Sequence, residues 1–374
     1  QGAIDALSHM TSDWREEKRL FVAQYDFSDY FESIDHEHLR RTFRALNFTM
    51  TSMERYLLEA FLEAPLPYLS REEKSRSATK RVRGIHQGTS ISLLLANVAA
   101  TPLDRSLERL GVSFVRYADD LIVWSRDYAS ICDSVDALND FAEESNCELN
   151  LRKSRGIRLM VREGPEAEMA TCESVDYLSH SVSLVQVGMR KDANDKIRRR
   201  INAFIYENLL REPMRKKQDL GRLRKGLDRD YVTLVWQLRR YLYGPLSESA
   251  VQRLLYGPVP RALALKGAIA RFPLVDNDDQ LRELDGFMCN QVHLALRKRQ
   301  KLLSAASLAL YGEEPKPWGL HVRELRDFGF TSSTTNEHVD ARLPSAVRMS
   351  RVLRRAVRTH GLGVVGSGSR LYGN

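Results

Sequence analysis

The chain has 374 residues, with 57 Lys and Arg against 49 Asp and Glu, a formal charge of +8 and a pI near 9.3; it is long enough for two domains with separate cores, and the basic excess suits a polyanionic partner. No signal peptide and no apolar run long enough to cross a bilayer stand out, so a membrane role is not expected and a cytoplasmic location is. The four cysteines, Cys132, Cys147, Cys172 and Cys289, form no CxxC pair, which speaks against a zinc site or a disulfide scaffold and fits a reducing compartment.

Residues 20–25 (LFVAQY) read as a strand running into Asp26. Asp29 and Asp35 follow, each a candidate cap for a helix behind it. Residues 70–83 (SREEKSRSATKRVR) are polar and charged and read as a loop or hairpin. The next stretch, RGIHQGTSISLLLAN at 83–97, has glycines that permit close approach of a ligand to the backbone, with Ser90 or Ser92 as a helix cap. Apolar residues then recur at helical spacing over 91–107. A Gly-rich turn entering a helix is a natural seat for a nucleotide.

Two apolar runs, 112–115 and 121–124, read as strands around Tyr117, Ala118, Asp119 and Asp120. So short a connection predicts a hairpin, with Asp tolerating the unusual backbone of the turn. An Asp pair at such a tip is either a solvated turn or a site. Adjacent carboxylates repel unless a cation neutralises them, and a hard divalent ion such as Mg2+ takes oxygen ligands. If the strand before Asp26 lies beside this hairpin, Asp26, Asp119 and Asp120 converge on two metal ions about 4 Å apart, which clamp the attacking and leaving oxygens of an in-line displacement.

Beyond residue 188 the pattern turns helical. Residues 192–210 carry Ile197, Ile201, Phe204, Ile205 and Leu209 at helical spacing, with Arg198, Arg199 and Arg200 as a basic flank or a solvated face. Residues 231–243 predict a second helix, ended by Gly244 and Pro245. Residues 281–303 predict a third, closing in the basic run 297–301, which either follows a nucleic-acid backbone or complements the helix C-terminus. A fourth basic amphipathic stretch spans 342–358. The Gly- and Ser-rich residues 361–374 are expected to be flexible unless bound.

Taken in order, these segments resemble the reverse transcriptase family, in particular its bacterial branch of group II intron, retron and phage-defence enzymes. QYDFSDYFESIDHEHL is similar to the first catalytic palm motif, RGIHQGTSISLLLAN to the Gln-Gly motif and VRYADDLIVW to the paired-Asp motif. LNLRKSRGI resembles the next palm motif, and VDYLSHSVSL the primer-grip hairpin. The resemblance covers roughly residues 26–184. It implies an α/β polymerase palm (the right-hand reverse transcriptase fold) within 1–188, carrying a remnant of the fingers. An α-helical thumb and C-terminal region for nucleic-acid binding or assembly follows over 189–374.

The resemblance also implies roles. Asp26, Asp119 and Asp120 are the catalytic carboxylates that hold two Mg2+ ions, with Mn2+ able to substitute. Phe27, Asp29, Tyr30, Phe31, Gln87, Gly88 and Lys153 form the nucleotide-binding set. Within it, Phe31 acts as the steric gate against a ribose 2′ hydroxyl, and Lys153 as a proton donor to pyrophosphate. Tyr117, Ser92, Arg198 and Arg199 contact primer and template. The expected activity is RNA-directed DNA synthesis in bacterial anti-phage defence. The alternatives are template-independent or protein-primed synthesis by the same site, and an RNA-binding maturase or scaffold with an idle polymerase site. Expected partners are an RNA template, a DNA primer and product, dNTPs, a dedicated non-coding RNA, and a second copy or partner chain.

Departures sharpen this reading. Residues 184–188 (LVQVG) carry no retron-type Val-Thr-Gly, no HNH-like cluster marks an intron endonuclease, and Gln87-Gly88 speaks against the diversity-generating branch. Only 25 residues precede Asp26. The family's fingers are therefore expected either to be cut from this chain or to come from another chain, and nucleotide binding by the chain alone is expected to be weak. The patterns at 236–248, 272–276 and 284–303 loosely resemble the helical region of phage-defence and abortive-infection enzymes.

Overall fold

A computed structural model describes residues 2–64, 81–162, 169–261, 265–331 and 338–364. Most of the loop expected over 70–83, and the tail from 365, lie outside them. The chain divides into two units, Gln1–Val175 with Ser183–Val185, and Asp176–Val182 with Gln186–Asn374.

The first unit is built on one sheet. After helix α1 (Ala3–Arg15) come β1 (Arg19–Tyr25), the short α2 (Tyr30–Ser33), α3 (His36–Ala45), α4 (Ser52–Glu63) and α5 (Ser90–Arg109). The hairpin strands β2 (Ser113–Tyr117) and β3 (Asp120–Ser125), then α6 (Tyr128–Ser145), β4 (Gly156–Val161) and β5 (Thr171–Cys172), complete it. The strand order is β2-β3-β1-β4-β5, antiparallel throughout except for β4 with β5. The near-continuous apolar run of β1 follows from its central place, buried on both faces.

On one face Phe21, Ala23, Leu121 and Val123 join Leu95, Leu103, Leu138 and Phe141 of α5 and α6 in a single core. On the other face Trp124 meets Trp14 of α1 edge to face at 5.8 Å. Asp35 caps α3, accepting from the His38 amide at 2.7 Å. Asp29 does not act as a side-chain cap; its backbone is left-handed, with φ 43. Nor do the serines cap α5: Thr89 holds that position without a side-chain bond to a helix amide, its hydroxyl meeting that of Ser92, and the Ser92 hydroxyl donates back to the His86 carbonyl.

A three-stranded sheet of β6 (Val175–Tyr177), β7 (His180–Val182) and β8 (Val187–Met189) comes next, all but Val175 of it in the second unit. Helices follow: α7 (Lys191–Ile205), which widens into a π segment, Tyr206–Leu210, then α8 (Arg211–Met214), α9 (Arg229–Tyr243) and α10 (Glu248–Tyr256). Then come α11 (Asp278–Tyr311), α12 (Val322–Asp327), the strand pair β9 (Gly329–Thr331) and β10 (His338–Asp340), and α13 (Ala346–His360). The long α11 packs against α7 and α13. Its buried Leu284, Met288, Val292 and Leu296 form the stripe that holds them.

The basic run at 297–301 does not complement a helix C-terminus, and its middle arginine turns inward while Arg297, Lys298 and Lys301 stay exposed. Helix α11 runs on to Tyr311, so the run lies inside the helix rather than at its end. Arg299 is fully buried. It donates to Asp228 and Asp230 at 2.6 Å each and to the Leu209 carbonyl at 2.8 Å. The Trp318 indole donates to Asp228 at 2.7 Å. Arg299 is a structural tie and not a phosphate contact. The architecture as a whole is an α/β palm followed by a helical thumb region.

Candidate active site

The sheet register brings the predicted carboxylates together. Strands β1 and β3 pair Gln24 with Ile122 and Tyr25 with Leu121. One step further along this antiparallel register sets Asp26 across from Asp120, on the same face of the sheet. The hairpin closes with Tyr117 paired to Asp120, leaving Ala118 and Asp119 as the turn. The left-handed residue is Ala118, with φ 56, and not an aspartate as its residue type suggests. Arg116 explains how an alanine is held there. Its side chain is 7% exposed, it grips both oxygens of Asp104 on α5 at 2.8 and 2.6 Å, and it donates to Asn97 and to the Ala118 carbonyl at 3.1 Å each. A bidentate guanidinium clamp of this kind fixes geometry as well as charge.

Lys153 supplies the cation. Its ammonium lies 3.0 Å from Asp26, which also accepts from the Asn150 amide group at 3.3 Å. The hydrogen bond to Asp26 and then its charge raise the lysine pKa, and the charges of Asp119 and Asp120 add to this. Burial raises the Asp119 pKa above the usual carboxylate range; the Asp26 charge adds to that, while Lys153 opposes it. Among the described residues no three acidic, His or Cys side chains stand close enough, as placed, to hold a metal ion. The donor set nonetheless fits Mg2+, which takes oxygen ligands and is held by one or two carboxylates plus substrate phosphates more often than by a protein cage.

The Gln-Gly turn lies in the same unit. Gly84 has φ 83, and a Cβ there would stand 2.8 Å from the Glu32 carbonyl oxygen, so only glycine fits. Gly88 also has φ 83 but faces open space. The exposed Gln87 donates to Glu32 of α2 at 2.6 Å. Phe31, beside Glu32, is half-buried against the core and meets the Tyr30 ring at 5.9 Å.

Three residues assigned above to ligand contacts are in the interior. Phe27 is buried and meets Phe141 edge to face at 5.7 Å. Tyr30 is buried, and its hydroxyl donates to the Ala96 carbonyl at 2.8 Å. Ser92 is buried and holds the turn ahead of α5. Tyr117 is 40% exposed and lines a cleft of about 560 Å3 with Leu93, Asn97, Thr101 and Asp104. In the second unit Arg198 lies over Phe287 at 5.0 Å and 3.8 Å from Glu283, while Arg199 is exposed.

Residues 3–182 match the family described as reverse transcriptase (RNA-dependent DNA polymerase). They form a reverse transcriptase domain. The chain is also similar to solved telomerase structures from Candida. One is telomerase from Candida albicans in complex with a fragment of telomeric RNA, at 12% identity and a TM-score of 0.37, over 83% of this chain and 52% of that one. Another is apo telomerase from Candida tropicalis, at 11% identity and a TM-score of 0.42, over 84% of this chain and 55% of that one. The chain thus spans about half the length of those telomerases, and the family assignment rests on the domain match alone. No curated protein matches the chain.

Within the reverse transcriptase domain, sequence reasoning passed over Arg116, Asp104, Asn97 and Asn150. A signal was available for the first: an arginine next to the paired-Asp turn, on a strand whose neighbours are apolar, has to find a partner when buried. Nothing local marks Asn150 as the second support of Asp26, 124 residues away.

Proposed function

We propose that the chain is an RNA-directed DNA polymerase in which Asp26, Asp119 and Asp120 hold two Mg2+ ions. The observation that carries this is the register that sets Asp26 across from Asp120 with the Asp119 turn beside them, around a single ammonium. Bound there, divalent ions polarise a primer 3′ hydroxyl and neutralise the charge of departing pyrophosphate. The chain's own groups do the rest. Arg116 fixes the turn that carries Asp119, Asn150 orients Asp26, and Lys153 stands where it can give a proton to the leaving group. Gln87 and Gly88 receive the nucleotide, and Phe31 excludes a 2′ hydroxyl. A place in bacterial anti-phage defence is supported by the resemblance of the helical region.

The test is primer extension on an RNA template by the wild-type chain and by Asp119→Asn and Asp120→Asn. Synthesis undiminished in both variants overturns the assignment. One observation favours a second reading, an RNA-binding scaffold with an idle site: Lys153 pairs with Asp26, and the carboxylates as placed form no metal cage. Tight RNA binding without incorporation under any primer condition decides for it.

A further inference from the structure

The helical unit carries a surface that the polymerase reading leaves without a role. On α7, Arg200 lies over the Phe204 ring, 4.4 Å from its centroid. Phe204 meets Tyr241 of α9 at 5.7 Å. Earlier on α9, Arg240 lies over Trp236 at 5.6 Å. Burial pushes the Tyr241 hydroxyl up, against the opposing charges of Arg271 and then Arg200, so Arg271 stands near enough to act on Tyr241. Asn208 donates to Gln237 at 2.8 Å and ties the two helices edge to edge. Directly after Phe204 and Ile205 comes the π segment Tyr206–Leu210, a rare form found often at functional sites. Glu207 within it marks where the basic run of α7 ends.

The arginines of these helices divide into two sets. Arg198 and Arg239 are engaged inward, with Glu283 at 3.8 Å and Asp340 at 2.8 Å. Among the described residues Arg200, Arg240 and Arg271 have no carboxylate within ion-pairing distance, and all three are exposed. A protein partner would have to bring a carboxylate to each of them. A single strand brings a phosphate with every nucleotide and a base face for every ring, and arginine planes and aromatic rings together are the stacking surface that unpaired bases use. A duplex keeps its base faces stacked inside.

We propose that the α7–α9 face is a stacking platform for single-stranded nucleic acid, with Trp236, Phe204 and Tyr241 receiving bases and Arg200, Arg240 and Arg271 receiving phosphates. It does not rest on the polymerase assignment, because binding is read without nucleotides and in the Asp119→Asn background as well as the wild type.

Trp236 is itself the probe. It is 59% exposed, whereas Trp14, Trp124 and Trp318 are at most 3% exposed, so acrylamide quenching of tryptophan emission reports on it selectively. A 12-nucleotide oligouridine or oligothymidine should protect it, and a blunt 12-base-pair duplex should protect it much less; the tighter of the two single strands identifies the natural chemistry. Trp236→Ala should weaken single-strand binding, read by anisotropy of a labelled oligonucleotide, about tenfold, and Trp236→Phe much less. Arg240→Gln should lower the slope of log affinity against log salt by about 0.7, one phosphate contact. Equal affinity for strand and duplex, with Trp236→Ala without effect, overturns the proposal. So does protection of Trp236 in the absence of nucleic acid together with a doubled mass in light scattering, which would make the face an interface between copies.

Discussion

Two charge clusters, one in each unit, set carboxylates against basic side chains and end as opposites. In the helical unit Arg299 is fully buried, with Asp228 and Asp230 at 2.6 Å each, Arg222 on the other oxygen of Asp230, and Leu209, Gln218 and Trp318 completing the set. In the reverse transcriptase domain Asp26, Asp119 and Asp120 act on one ammonium, that of Lys153, whose side chain is 68% exposed. The first cluster matches donors to acceptors away from water. The second keeps an excess of negative charge and an exposed cation that can swing aside. A closed cluster shows its worth only when a partner is lost, whereas an open one with a perturbed carboxylate is suited to receive a ligand of opposite charge.

The contrast breaks first at the paired aspartates. Asp120→Asn or Asp119→Asn should cut nucleotide incorporation about a thousandfold or more, since several kcal/mol of transition-state stabilisation is at stake. Stability should not fall with activity. Burial raises the folded pKa of Asp119, so the fold disfavours its charge, and stability from this group increases as pH falls through that pKa. A neutral Asn removes the penalty at neutral pH, and the melting temperature of Asp119→Asn should hold or rise. A clear drop would place Asp119 with the closed cluster and collapse the comparison.

Arg299→Ala should do the reverse, costing about 3–5 kcal/mol in denaturant titration because Asp228 stays buried and unpaired. That is a large share of the roughly 5–15 kcal/mol by which a domain is stable. Replacing Arg299 together with its two carboxylates, as Arg299→Met with Asp228→Asn and Asp230→Asn, should cost less than the single change.

Arg116 sharpens the boundary between the two kinds, being buried like Arg299 but tied to the turn that carries Asp119. Asp104→Ala should cost about 1.5–3 kcal/mol of stability, the worth of a charged hydrogen-bonded pair. It should also slow incorporation by up to about a hundredfold, the effect of misplacing a reacting group by about 1 Å. Lost stability with unchanged incorporation would assign Arg116 to structure alone.

The palm is legible in sequence because its signals are local. The apolar runs of β1, β2 and β3 and the helical spacing of α5 predict their elements, and the hairpin follows from the short gap between two apolar runs. The failures come where tertiary contacts override local pattern. Tyr30 and Phe27 lie in a motif rich in site residues, yet their rings fill the core. Arg299 sits in a basic run that reads as a nucleic-acid contact or a complement to a helix end, and its partners Asp228 and Asp230 lie 71 and 69 residues upstream. Ala118 takes the left-handed turn position because Arg116 holds its carbonyl, a contact that no propensity encodes.

Lys153 offers the smallest and most discriminating test. Its own pKa is raised by the Asp26 hydrogen bond, so its contribution to stability is present at neutral pH and fades only as pH rises through that raised value. Exposure keeps that contribution small, and Lys153→Ala should barely move the melting temperature. The rate profile is the better readout. Lys153 lowers the Asp119 pKa, so its loss lets burial and Asp26 push that pKa higher. If ionised Asp119 is required, the acid limb of the incorporation profile moves to higher pH in Lys153→Ala and stays in place in Lys153→Arg, which keeps the charge. Saturating Mg2+ should shrink the shift, because the ion takes over the neutralising duty of the ammonium. A rate loss that is the same at every Mg2+ concentration and every pH would instead tie Lys153 to the leaving group, and the open cluster would then need no resident cation to hold it together.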